Sequence, residues 1–465
     1  TQGTLLPNLR ARFRLQPFRQ LVLELPEAMF YTPALLLFAA STYSVMALGA
    51  EVHEDSVSLL QISVTQPASP TVASAIANMQ AGPSEPAVQL AGCAALRTVP
   101  SSDKSKQDAA GAAGGVDAAA SAMLRFPDDK ELFLTCLDAL QSMILFNRDN
   151  GLHAGQLGAL NVTIANYGRW LDDPLVMQIG GAIGSFFDYV NENRAIAREL
   201  GGIHLLIQNI KNNFHGAYSD WADSAVRNSL YGLSSGCWTN EDICFDEGLP
   251  ELGIQLMMEH GAVVKIAEET MQANKAMMAY PVPNNAYRQF LAKRGLAKAL
   301  VHVMNVSSQD QGAVDLACDN MYELIGPRLE PTIAGYLMKE PFDPRIQDMA
   351  TRSGAVEQIL SLLMGHQKMR QAAHEGFNFD TDAAYNVDRD CFNALGSLAF
   401  DNEANKRTML QAGLVDHIVA RIRETSLRTS GPDTKRAGCY ALRQVAPSPR
   451  GAPFEDAGVA AACAD

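Results

Sequence analysis

Apolar positions along the chain fall into runs of helical character that recur in a fixed frame. A Gly, a small or apolar residue and a further apolar residue open each run: Gly114-Gly-Val, Gly158-Ala-Leu, Gly201-Gly-Ile, Gly248-Leu-Pro, Gly295-Leu-Ala, Gly354-Ala-Val and Gly413-Leu-Val. Successive glycines are 44, 43, 47, 47, 59 and 59 residues apart. A period in the low-to-mid forties is that of stacked helical units, none of which can bury its apolar face alone.

Two further columns keep the same register. Asn150, Asn193, Asn240 and Asn405 each stand eight residues before their Gly, and Asn is a favoured N-cap because its side chain accepts from an unpaired first-turn N–H. A short helix is therefore expected to start at each Asn and to end at the Gly, which supplies a left-handed turn. Downstream, an Ala-rich stretch carries apolar pairs three apart: Leu96/Val99, Leu140/Met143, Ile183/Phe186, Leu230/Leu233, Met321/Leu324, Leu395/Leu398 and Leu442/Val445. Each unit is thus predicted to be a short helix, a Gly turn, a second helix, a loop and a third helix.

The pattern Asn-x7-Gly-Gly-Ile-x2-Leu-Ile of Asn193 to Ile207, followed by Asn228-Ser-Leu-x2-Leu-Ser, resembles the armadillo repeat. The resemblance covers residues 72–446, beginning with a partial unit from Val72 to Pro100. It implies an all-α fold, a right-handed α-solenoid of three-helix repeats whose third helices line a concave face. Within the array, the prolines between Pro327 and Pro344 mark one insertion, near 327–345, and the polar stretch His374 to Asp390 marks another, near 374–390.

The flanks differ in character. Residues 1–71 are expected to be a leader, disordered apart from an apolar stretch at 29–50 that follows the first Met, Met29, and resembles a signal peptide with a cleavage point near Gly49 or Ala50. As a membrane span it is marginal, because Thr and Ser interrupt it. Pro447, Pro449 and Pro453 are expected to stop the last helix and leave 447–465 as a disordered tail.

A formal charge of −14 disfavours nucleic acid as a partner and suits a neutral or basic protein. Cys93, Cys318 and Cys439 stand three residues before the third-helix anchor, and Cys136 and Cys391 stand four before it, a packing column in which free Cys acts as a small hydrophobe. Disulfides are not expected, since equivalent positions in successive units should lie a whole repeat apart. Reduced thiols favour the cytoplasm. The signal-like segment and the sequons Asn161-Val-Thr163 and Asn305-Val-Ser307 favour the secretory pathway as the alternative.

Catalytic signals are weak. Gly232-Leu-Ser234-Ser-Gly236 matches the nucleophile-elbow pattern of serine hydrolases, but no strand pattern precedes it. Cys237-x6-Cys244 is not a zinc spacing, and the scattered His residues share no register. No catalytic residue, metal or cofactor is expected.

Nuclear-import adaptors of the armadillo type carry a third-helix Trp with an Asn one turn on. The Trp positions map here onto Ala95, Ala139, Ala182, Ser229, Asn320, Ala394 and Ala441, and the Asn positions onto Thr98, Ser142, Ser185, Gly232, Glu323, Ser397 and Gln444, so neither ladder is present. Other third-helix residues are candidates to face the groove: Arg97, Arg227, Asn228, Arg389, Asn393, Arg443 and Gln444. The expected function is a non-enzymatic scaffold or adaptor that takes a protein or peptide in the groove. The alternative is a structural brace within a stable multiprotein assembly, and membrane association is expected only through the N-terminal apolar segment.

Overall fold

The structure, a computed structural model, describes residues 71–463 except 172, 174–176, 189, 215–219, 280–284, 327–328, 333–334, 339–342, 374–380, 426–430 and 447–456. The leader expected at 1–71, with its signal-like segment, therefore lies outside the described residues but for Thr71, which caps the first helix through its side chain. A partial unit, α1 (Val72–Ala81) and α2 (Pro86–Leu96), opens the array. Seven three-helix units follow.

The first unit is α3 (Lys104–Ala112), α4 (Gly115–Arg125) and α5 (Lys130–Ile144), and the second is α6 (Arg148–Gln156), α7 (Ala159–Arg169) and α8 (Met177–Phe187). Next come α9 (Asn191–Glu199), α10 (Gly202–Asn213) and α11 (Asp220–Gly236), then α12 (Glu241–Asp246), α13 (Leu249–His260) and α14 (Val264–Ala279). The fifth unit is α15 (Asn285–Arg294), α16 (Leu296–Val306) and α17 (Gln311–Ile325). The sixth is α18 (Pro344–Arg352), α19 (Ala355–Ala373) and α20 (Thr381–Ala399), and the seventh is α21 (Glu403–Gln411), α22 (Leu414–Thr425) and α23 (Gly431–Val445).

Each recurring glycine separates a first helix from a second, and all seven have positive φ, from 72° at Gly201 to 97° at Gly295. A Cβ is disfavoured in that left-handed region, which is why Gly recurs there. Every member of the predicted apolar pairs on the third helices is buried. The apolar core runs the length of the array in two stretches that meet at α13 and α14, where Leu256 and Met277 belong to the first and Met257 and Met278 to the second.

The Asn column does something other than capping. Asn147 and Asn402 are the N-caps of α6 and α21, accepting from Asn150 N–H and Asn405 N–H. Asn150, Asn193 and Asn405 sit inside the first turn, and Asn240 precedes α12 without a side-chain cap. Their amides instead donate to buried carbonyls of the preceding unit. Asn150 reaches Gln107 O and Met143 O (both 3.0 Å), Asn193 reaches Gly151 O (2.9 Å) and Phe186 O (2.8 Å), and Asn240 reaches Arg194 O (3.3 Å) and Gly236 O (3.0 Å). Asn405 donates to Leu398 O at 2.7 Å. Gln107 and Gln347 act similarly, each with three carbonyls around one amide nitrogen. The Asn side chains satisfy C-terminal carbonyls of the preceding third helix and so tie unit to unit, while the two Gln side chains bind the first helix of a unit to the end of its own third helix.

Three further expectations are corrected. The proline-marked insertion contains an antiparallel hairpin, β1 (Leu329–Thr332) with β2 (Gly335–Met338), in which Pro331 pairs with Tyr336. The insertion at 374–390 is helical from Thr381 onward, as the start of α20. The tail expected to be disordered carries α24 (Ala457–Cys463), with Val459 buried, since an apolar Ala-rich turn beyond the prolines can cover the exposed end of the last unit.

The cysteines also depart from expectation. All eight are paired: Cys93–Cys136, Cys237–Cys244, Cys318–Cys391 and Cys439–Cys463. Equivalent positions were expected to lie a whole repeat apart. Third helices of adjacent units instead approach closely, with Cα atoms of both the Cys93–Cys136 and Cys318–Cys391 pairs 4.8 Å apart. Among the described residues no helix is long and apolar enough to cross a membrane.

Candidate functional site: the face of the third helices

Third helices of successive units stand side by side, so a side chain on one reaches those on the next. At α8 and α11 the backbones nearly touch, and a Cβ added to Gly232 would stand 2.9 Å from Gly180 O. Such small residues bring charged neighbours within hydrogen-bonding range.

The face they present is rich in carboxylates. Asp138 on α5 meets Arg97, just beyond α2, at 3.6 Å, and burial raises its pKa against that cation. Asp188, following α8, accepts from the Tyr231 hydroxyl (2.9 Å) and the Ser235 hydroxyl (2.8 Å) of α11. Burial nonetheless raises its pKa. On α14, burial and the neighbouring Glu268 push Glu269 up to about 7, with Lys265 and Arg227 pulling the other way and Asp188 adding to the rise.

The densest group lies between α14, α17 and α20. Asp315, Asp319 and Glu323 recur every fourth residue along α17 and therefore share one side of that helix. Lys275 of α14 pairs with Asp319 at 2.6 Å. Burial opposes the Lys275 charge, but Asp319, Glu323 and Asp390 outweigh it and hold its pKa above the usual value. Arg389 grips Asp390 through two hydrogen bonds, 2.6 and 2.7 Å. Asp315 is pushed up to about 8 by burial and by its hydrogen-bonded neighbour Asp390, with Arg389 opposing and Asp319 adding repulsion. Burial likewise raises Asp319, although Lys275 counters it. Arg288 approaches Glu323 at 3.8 Å, so the four carboxylates of this group face three cations, Lys275, Arg288 and Arg389.

The sequence candidates divide. Arg227, half-buried on α11, acts on Glu269, and Arg389 stands in the dense group. Asn228 lies over α8, its amide carbon 3.6 Å from where a Cβ on Gly181 would be. Asn393 is half-buried on α20, one turn beyond Arg389. Arg97 is exposed at one end of the array, and Arg443 (exposed) and Gln444 (half-buried) lie at the other, so these three share no site with the rest. Sequence reasoning missed the carboxylates, although the four-residue acidic spacing of α17 was visible. Ser234 lies within α11, its hydroxyl donating to Tyr231 O at 2.8 Å, so the strand-to-helix turn of a nucleophile elbow is not there.

No family profile matches the sequence, and no characterised protein does. Solved structures do match. An engineered protein aligns at 14% identity over 84% of this chain and 86% of its own, with a TM-score of 0.60. A chain from a structure concerning a phosphorylation switch between cadherin and β-catenin aligns at 15% identity over 84% of this chain and 66% of its own, with a TM-score of 0.56. A designed armadillo repeat protein aligns over 60% of this chain at 14% identity, with a TM-score of 0.42. The chain has the armadillo-type helical-repeat fold.

Proposed function

We propose that this armadillo array is a non-enzymatic protein-binding scaffold that takes a Lys- and Arg-bearing polypeptide segment along its groove, in an oxidising compartment. The observation that carries the choice of ligand is the carboxylate cluster of Asp315, Asp319, Glu323 and Asp390, four acids set against Lys275, Arg288 and Arg389. Lys and Arg side chains would pair with these carboxylates, while the half-buried amides of Asn228 and Asn393 serve the ligand backbone. Four disulfides and no free thiol support the oxidising compartment and remove the premise on which a cytoplasmic location rested.

The test uses a fluorescently labelled oligolysine and an oligoglutamate of equal length. Oligolysine should bind, more weakly as salt is raised, and oligoglutamate should not. Equal binding of both, or of neither, contradicts the basic-ligand reading. Purification in a fixed stoichiometric assembly would instead favour the brace.

A further inference from the structure

We propose that Asn161 and Asn305 carry N-linked glycans. The chain holds two Asn-x-Ser/Thr sequons, Asn161-Val-Thr163 and Asn305-Val-Ser307. Both asparagines are exposed, and neither amide is engaged by another of the described residues. This sets them apart from Asn150, Asn193, Asn240 and Asn405, whose amides are spent on buried carbonyls. Asn161 lies on the outer stripe of α7 with Ala165 and Arg169, and Asn305 lies near the C-terminal end of α16 beside the exposed Val306. A branched sugar at either place meets solvent rather than a neighbouring helix.

The chemistry requires a luminal, oxidising compartment, and the pairing of all eight cysteines points there independently of the sequons. The inference thus rests on the compartment proposed above. The co-reactant is an oligosaccharide on a polyisoprenyl pyrophosphate. Asn Nδ2 attacks C1 of its reducing-end sugar, the N–C1 bond forms, the C1–O bond to pyrophosphate breaks, and the amide proton leaves to a base. No electron is transferred.

The sequon hydroxyls fix the timing. Thr163 Oγ1 donates to Ala159 O at 2.7 Å and Ser307 Oγ to Gly261 O at 2.8 Å, both buried in the folded array. A transferase that reads the hydroxyl must act before α7 and α16 pack. Placement fits the groove as well, because α7 and α16 are second helices and sugars on them leave the third-helix face open.

The protein isolated from its source cells is treated with peptide N-glycosidase in 18O-water, and peptides containing residues 161 and 305 are sequenced by mass spectrometry. The expected result is 18O-labelled Asp at both positions and a fall in mass of the intact protein. Expressed in the same cells, Thr163→Val and Ser307→Ala should each lose one glycan while leaving the acceptor Asn in place. Native protein whose mass equals that of the bare polypeptide overturns the proposal. Alkylating the unreduced protein alongside separates the two failures: blocked cysteines without sugar sink the glycans alone, and freely alkylated cysteines without sugar sink the compartment too.

Discussion

Cys318 on α17 and Cys391 on α20 are bonded to one another with their Cα atoms 4.8 Å apart, although 73 residues separate them in sequence. The bond lies next to Asp390 and three residues beyond Asp315, so it fixes the spacing of the two carboxylates that oppose each other most strongly in the groove. Closing a loop of that length contributes about 4 kcal/mol in the chain-entropy picture. Replacing both cysteines with Ser should lower stability by up to roughly that amount in urea unfolding. Denatured but unreduced wild-type protein should yield no titratable thiol, and eight thiols in that assay would contradict the pairing.

Asn193→Ala should be among the costlier substitutions of a polar residue. It leaves Phe186 O without its donor in a buried setting, at about 1–3 kcal/mol, and removes a second bond from Gly151 O, which keeps its place in the helical ladder. Asn193→Asp should be no better, because a carboxylate has no hydrogen to give. A midpoint of unfolding unchanged by either would mean that the ladder is ornamental.

At Gly201 the penalty should come from the backbone alone. No atom lies within 4 Å of a Cβ built there, yet φ is +72°. Gly201→Ala should therefore cost about 1 kcal/mol, and Gly201→Asn less, because Asn visits the left-handed region more readily. Equal effects of Ala and Asn on the denaturation midpoint would point to a steric cause instead.

Stability should fall as the solution becomes alkaline. Glu269 at about 7 and Asp315 at about 8 hold their protons in the folded state at pH values where the unfolded chain has lost them. A raised acid pKa contributes stability that is fully present below the unfolded value and lost as pH rises through the folded one. The melting temperature should thus carry a declining contribution from about pH 4 that levels off above about pH 8. Asp315→Asn should flatten that decline, and a variant as pH-sensitive as wild type would assign the effect elsewhere.

The solenoid was legible because its governing signal is local and repeated. A left-handed turn favours Gly, and Gly114 through Gly413 announce the turn between first and second helix in each of seven units, although Phe146 and Asp401 also have positive φ. The Asn column was visible as a register, but its role was not, since whether Asn193 caps its own helix or reaches Phe186 O depends on where the preceding unit ends. Pairing of Cys93 with Cys136 was hidden for a related reason: spacing along the chain says nothing of how closely two third helices approach. Arginines drew attention as binding residues, whereas Arg389 is held by Asp390. The carboxylates that dominate the groove became evident only once α14, α17 and α20 stood side by side.

Binding of basic polypeptide by the α17 carboxylates is tested most directly by titrating labelled oligolysine against wild type and an Asp315→Asn variant at pH 9, where Asp315 is ionised. Removing this one charge relieves its repulsion with Asp390 and leaves the Lys275–Asp319 pair in place, so the variant should stay folded, and loss of binding would not reflect unfolding. The expected result is at least about tenfold weaker binding by the variant, equivalent to roughly 1.4 kcal/mol. Oligolysine bound by the variant as tightly as by wild type, at matched salt, would contradict it.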